Sequence, residues 1–414
     1  MKRKLLFCLI VLIMGCYVFS LDKKYDVDNI VKDNIIKNNN MISMMLEQNS
    51  GAGDYLQVAQ SNWPTEGYIF NKERSGCENG GELSWDDTRK TVVMMGNISD
   101  KCYVYFDREE NKVLLVDYVK SLYTGTQGEN SIYYHDSNLA NGANDNSYRF
   151  AGASNQVNNF VCFGTDESPC PTDNLYRIIG VFEDVNHGVS GEQLVKLIKY
   201  DYANSNLLGT DGAYSQNKTP SSYKGAWSSI ADYYWNNKFG ESYSNTWKIG
   251  KFSTINLNTN FLNNIGGDWV TKIEFVTWRV GGDTDDNIYS VLPSVTYKNE
   301  IVKSTSAAKT YSAKIGLMYV SDFAFAADPS YWSKQLAMLY MGSGDVDWIH
   351  MGLEEWTITP STSNSGGAFY IYSGSTLGRD TVLNPKFVRP SFFLTASTNY
   401  VSGIGTQADP IIIE

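Results

Sequence analysis

Histidine is scarce in this chain: His135, His187 and His350 are the three it has in 414 residues. They lie far apart, and no CxxC pair accompanies them, so no local zinc-ligand spacing is present. A GxSxG elbow is also missing, so a Ser–His–Asp arrangement would have to assemble entirely in space. Charge is thin as well. Charged residues make up 19% of the chain, below the roughly 25% of an average domain. Asn, Ser, Thr and Tyr supply the missing polarity, a surface habit common among extracellular proteins. Lys and Arg form no stripe beyond the first four residues and the formal charge is −11, which excludes a nucleic-acid partner. Cysteine stops at Cys170.

What is plentiful is apolar and aromatic matter, 42% and 14% of the residues. A chain of this length implies two or three folding units. Lys2, Arg3 and Lys4 precede an almost wholly apolar stretch from Leu5 to Phe19. As a helix it would reach roughly 22 Å, short of a ~30 Å hydrocarbon core, so residues 1–20 fit a signal peptide better than a permanent span. Ile13-Met14-Gly15-Cys16 is similar to a bacterial lipobox and makes Cys16 a lipidation candidate; cleavage near Ser20 and an uncleaved anchor are the alternatives.

Residues 21–60 carry Val27, Ile30, Val31, Ile35, Ile42, Met45 and Leu46 at helical spacings, which predicts a helical stalk. Residues 61–107 then change to period two and predict a small β-hairpin module: Leu83 and Trp85, a polar turn, Val92 and Met94, then a strand from Cys102 to Phe106. Beyond Cys8 and Cys16 the cysteines are Cys77, Cys102, Cys162 and Cys170, an even number that predicts two disulfides in an exported chain. Three connectivities are open; the local pairs 77–102 and 162–170 are favoured. Residues 108–147 read as a Gly/Asn-rich linking region with a helix or strand at 113–123. Residues 148–414 form the main α+β domain.

In that domain 160–163, 176–182 and 194–202 predict strands, and Trp227, Ile230, Tyr233, Tyr234 and Trp235 offer one helical face. Residues 255–265 and 269–278 predict short helices. The organising pair is 311–322 with 388–395, two apolar runs read as buried strands. Between them, 323–387 reads as a long irregular loop region, where binding usually sits. Gly403 to Ala408 matches a loose GxGxxA, but six residues remain after it, too few for the helix that would hold a pyrophosphate, so it reads as a closing turn.

The succession YRIIGVF (176–182), VKLIKYDY (195–202), KIGLMYVSD (314–322), VRPSFFL (388–394) and SGIGTQADPIII (402–413) resembles bacterial secreted domains of the DUF6273 kind. That group is similar in turn to the C-type-lectin-like and formylglycine-enzyme-like superfamily. The resemblance covers about 146–414, and CENGGELSWDD with DKCYVYFD resembles a module that often precedes such domains. It implies a C-type-lectin-like α+β domain with long loops. It transfers no catalytic motif, since formylglycine-generating enzymes use C-terminal cysteines. Asp347-Trp348-Ile349-His350 departs from the triplets of calcium-dependent lectins.

Candidate ligand contacts are Trp332, Tyr340, Trp348, Asn364, Tyr370, Tyr372 and Arg379: aromatic faces stack on sugar rings, and Asn and Arg hydrogen-bond hydroxyls. Asp283, Asp285 and Asp286 could gather round Ca²⁺, although the EF-hand spacing is absent and a solvated acidic turn is the simpler reading. No other cofactor is expected. Glu354 and Glu355, with Asp345 and Asp347, raise a glycan hydrolase, but adjacent residues of a strand face opposite sides. The expectation is a non-enzymatic, exported, cell-surface protein that recognises a glycan or protein through 323–387. It would meet a membrane only through its N-terminal segment. A self-assembling envelope module is the alternative.

Overall fold

The computed structural model describes residues 17–18, 42–58, 67–86, 88–89, 91–95, 100–109, 112–183, 185–188, 191–220, 223–225, 229–338 and 347–414. Of the expected signal segment only Tyr17–Val18 is described, as a strand pairing antiparallel with Thr91–Met95; Cys16, most of the expected stalk, Tyr340 and Asp345 lie outside the described residues. The chain divides into two compact units, 1–111 and 112–414. Both helices and many strands are present, a mixed α+β protein.

In the first unit, the stretch expected as the end of a helical stalk is strand. Ile42–Glu47 runs parallel to Cys102–Arg108, with Met44 opposite Val104, and antiparallel to Tyr55–Val58. Ile42, Met45 and Leu46 suit a helix, yet Ile42, Met44 and Leu46 suit a strand equally well. The open edge of Cys102–Arg108 decides the matter by satisfying the backbone along the whole segment. Tyr68–Phe70 and Gly76–Cys77 pair with the same strand. The expected hairpin forms from Glu82–Asp86 and Thr91–Met95. Met44, Leu46, Leu83, Val92, Val104 and Phe106 make the core. Cys77 stands directly opposite Cys102, and the two are joined.

The second unit begins at Lys112, so most of the expected linking region belongs to it. Val113–Leu114 leads into helix Leu115–Ser121, and Ile132–Tyr134 is the outer strand of a seven-stranded sheet. Next come Tyr148–Phe150, Leu175–Phe182, Leu194–Lys199, Ser391–Phe393 and Ile315–Gly316, with Phe160–Cys162 added against Leu175–Phe182. All eight residues of Leu175–Phe182 and all six of Leu194–Lys199 are buried, as expected of central strands written as apolar runs. The two organising runs are neighbours: Ile315 pairs with Phe392. The first run ends early, however, because 320–326 turns into a helix whose first turn is capped by Asp322 accepting from the Tyr319 amide. Cys162 and Cys170 are bonded.

A second sheet of six strands holds the largest departure from expectation. Its order is Tyr214–Lys218, Ile230–Tyr233, Lys386–Phe387, Glu355–Pro360, Gly367–Ile371 and Leu377–Thr381. Residues 355–381, expected as loop, therefore form an antiparallel meander, Lys386–Phe387 pairs parallel with its first strand, and 230–233 is strand rather than helix. Trp235 and Trp356 pin this sheet by donating their indole N–H groups to the carbonyls of Thr357 and Tyr233. A two-stranded ribbon, Val276–Arg279 with Thr310–Ala313, stands apart. The expected helix at 255–265 is present as a wide π-turn, Phe252–Phe261, followed by a short α-segment. Asn258 on that turn caps the edge of Ile315 from both sides, donating to its carbonyl and accepting from its amide.

Candidate binding groove

Four short segments of the second unit meet around a groove of about 640 Å³: 245–248, 280–282, 308–311, and 360–363 with 365. Each is the end of a regular element. Residues 280–282 follow the ribbon strand Val276–Arg279, and 308–311 opens its partner. Residues 360–365 form the turn between Glu355–Pro360 and Gly367–Ile371. The 3₁₀ turn Trp247–Ile249 completes the wall. Two strand ends from different sheets thus enclose a concave surface.

Polar contacts hold the walls in place. Asn245 Nδ2 lies 2.6, 2.9 and 2.8 Å from the carbonyls of Ser361, Asn364 and Gly367, and its amide donates to the Ser365 carbonyl at 2.7 Å. Across the groove, Val280 donates to the Lys309 carbonyl at 2.7 Å and Gly281 to the Glu300 carbonyl at 3.0 Å. Gly282 must be glycine, because a Cβ there would sit 1.8 Å from the Pro360 carbonyl. Lys248 Nζ donates to the Ala307 carbonyl at 3.1 Å.

Trp247 is 2% exposed and packs edge-on against Trp235 and Phe252. Its indole N–H has no acceptor among the described residues, as is also true of Trp332 in the core, whereas Trp235, Trp278, Trp348 and Trp356 donate to backbone carbonyls. Beside the groove, Tyr243 is 57% exposed and its ring lies against Gly366. The side chains of Thr362, Ser363 and Ser365 are exposed along the turn.

The sequence candidates scatter. Trp332 and Trp348, expected to touch ligand, are 1% exposed and belong to the core. Trp348 donates to the Phe150 carbonyl, with the Arg177 guanidinium 4.7 Å from its ring, and Trp332 packs on Tyr133, His135 and Phe325. Large indoles next to buried strands fill volume rather than display themselves. Tyr370 is half-buried beneath Lys386, and burial pushes its hydroxyl up to about 12. Tyr372 is exposed. Asn364 lies in the groove turn, its side chain accepting from the Gly366 amide. Arg379 pairs with Asp285 at 2.9 Å.

The acidic turn is not simply solvated. Asp283 is buried, accepting from Asn287 and Asn299, while Asp285 takes Arg379 and the Ser361 hydroxyl; Asp286 is exposed. No group of three or more His, Cys, Asp or Glu suited to a metal occurs among the described residues. Glu355 forms a two-pronged pair with Arg389, 2.8 Å on each branch, and Glu354 pairs with Lys386. Burial raises Asp347 to about 6 and lowers His350 to about 4. Their partners are backbone: the Ile349 and His350 amides for Asp347, the Ser373 carbonyl for His350.

A second charged constellation is buried in the same unit. Asp145 binds Arg149 at 2.7 Å and His187 at 3.0 Å, and Asp322 binds Lys196 at 2.5 Å. All five side chains are at most 2% exposed. Burial outweighs the Asp145 contact and lowers His187, favouring a neutral imidazole beside a carboxylate that Arg149 keeps charged. Arg149 also approaches Asp322 at 3.6 Å, so the set joins strands to helix, and Asp145 stands at the wall of a second pocket of about 550 Å³ with Asn146, Glu183 and Gln193.

Sequence reasoning missed Trp247, Asn245, Lys248 and Lys309. The available signal was the run of Asn, Ser, Tyr and Trp at 236–247, rich in hydrogen-bonding and stacking groups and poor in aliphatics. No family model, curated protein or solved structure matches the chain.

Proposed function

We propose that the protein is an exported, cell-surface recognition module that binds a glycan in the groove between the ribbon and the 360–365 turn. The observation that carries this reading is the composition of the groove: exposed hydroxyls and lysines, a tyrosine face beside them, and a rigid backbone behind. Sugars are held by this combination of hydroxyl contacts and an aromatic platform on pre-organised walls. The site overlaps the expected 323–387 region only at its turn; ribbon and 3₁₀ segments supply the rest. Two disulfides support export, since such bonds persist in oxidising compartments. Kinship with lectin-like domains belongs to the same proposal and rests on the sequence resemblance, with which a mixed α+β architecture is compatible.

The test is a glycan array on the full chain, with Ser365→Trp and Thr362→Trp as variants that fill the groove from exposed positions. Binding by the parent that both variants lose, at unchanged melting temperature, supports the proposal. Equal binding by all three proteins moves the site elsewhere and ends it.

A further inference from the structure

Charge distinguishes this groove from the molecule that carries it. The chain has a formal charge of −11, yet none of the residues lining the groove is Asp or Glu, and Lys248 and Lys309 are both exposed there. The Lys248 contact to the Ala307 carbonyl draws its ammonium toward the Lys309 wall. Three acidic side chains near the lining segments are already committed, while Asp286 on the same turn as two of them is exposed. Asp283 is taken by two asparagine amides, Asp285 by Arg379 and Ser361, and Glu241 by Lys251. In the same wall the Trp247 indole N–H is buried without an acceptor, and leaving such a donor unpaired is unfavourable unless an acceptor arrives.

Taking the groove as the saccharide site, we infer that its ligand is a carboxylate-bearing sugar, of the uronic- or sialic-acid class. The carboxylate is met by Lys248 and Lys309, and the ring hydroxyls by the Ser and Thr side chains of the 360–365 turn. A neutral sugar would leave two lysines without use, and a protein of this net charge would repel a polyanion anywhere but at such a patch.

The experiment titrates the full chain with matched pairs: lactose against sialyllactose, and neutral galactose oligomers against galacturonate oligomers. A sulfated oligosaccharide is the third arm. Each arm is run at about 50 mM and about 500 mM salt. At low salt one carboxylated member binds roughly tenfold or more tightly than its neutral partner, and high salt removes most of that advantage, because exposed charges are screened over a few ångströms there. Which pair responds tells sialate from uronate. Lys248→Gln with Lys309→Gln abolishes the preference without moving the melting temperature, since both side chains are exposed. Trp247→Phe keeps the ring, removes the donor and weakens the carboxylated ligand several-fold. Equal binding of neutral and carboxylated members, or preference for the sulfated one, overturns the inference while the glycan reading stands. No binding of any saccharide ends both.

Discussion

The side-chain amide of Asn245 lies 2.6 Å from the carbonyl oxygen of Ser361, 116 positions along the chain. Through this contact and two like it, a loop before the π-turn fixes the hairpin turn of a different sheet, and with it one wall of the groove. Asn245→Ala removes the donor to the Ser361 carbonyl, while the Asn364 and Gly367 carbonyls keep the Gly367 and Ser361 amides. The expected loss is on the order of 1–3 kcal/mol, read by urea denaturation. Amide exchange at 361–367 should accelerate more than elsewhere; uniform acceleration over the domain would contradict the clamp.

Trp348 and Tyr372, both candidates for the same binding surface, should behave oppositely. Trp348→Ala removes a side chain 1% exposed and is expected to cost about 3–5 kcal/mol, whereas Tyr372→Ala should stay within about 0.5 kcal/mol. Denaturation midpoints of the two variants, compared with the parent, decide it.

Glu300 gives the unit a pH signature. Burial raises its carboxyl from 4.5 to about 7, despite acceptance from the Val320 and Ser321 amides and the Thr359 hydroxyl. The native state therefore binds more protons than the unfolded chain between about pH 4.5 and 7. The stabilisation from this group is complete below the unfolded value and is lost as pH rises through the folded one. It amounts to on the order of 2–3 kcal/mol. Glu300→Gln should flatten that fall. Burial lowers His135 to about 3 and His350 to about 4, which tilts stability the other way, but both histidines are present in parent and variant and cancel in the difference. The readout is the difference in stability between pH 5 and pH 8, and an unchanged slope in the variant would disprove the assignment.

In the first unit, Cys77 and Cys102 are 25 residues apart and bonded across adjacent strands. Replacing both by Ser should destabilise that unit by about 3 kcal/mol through the entropy of the opened loop. Thermal melts followed at Trp85 should show it as a lowered transition, and addition of a thiol reductant to the parent should reproduce the same shift.

Where local pattern and tertiary role coincide, the sequence was readable. The apolar strands at 176–182 and 194–199 and the 82–95 hairpin follow from side-chain period, and the two local disulfide pairs are the ones favoured among three open connectivities. The segment 42–47 was ambiguous because the same apolar residues satisfy both periods until a partner strand is supplied. The 355–381 meander escaped notice since its Gly, Ser, Asn and Thr look like loop. Its cohesion comes from cross-strand hydrogen bonds and from the Trp235 indole reaching it from another element.

By itself the chain determined its charge balance, its aromatic wealth, its paired cysteines and its central strands, because these depend on composition and near neighbours. Only the tertiary structure decided which tryptophans are enclosed and that Trp247 and Trp332 lack an acceptor among the described residues. It also decided which lysines share a wall free of carboxylates. Those properties depend on which separate segments the fold brings together, as 245–248, 308–311 and 360–365 meet at the groove, and no local spacing records them.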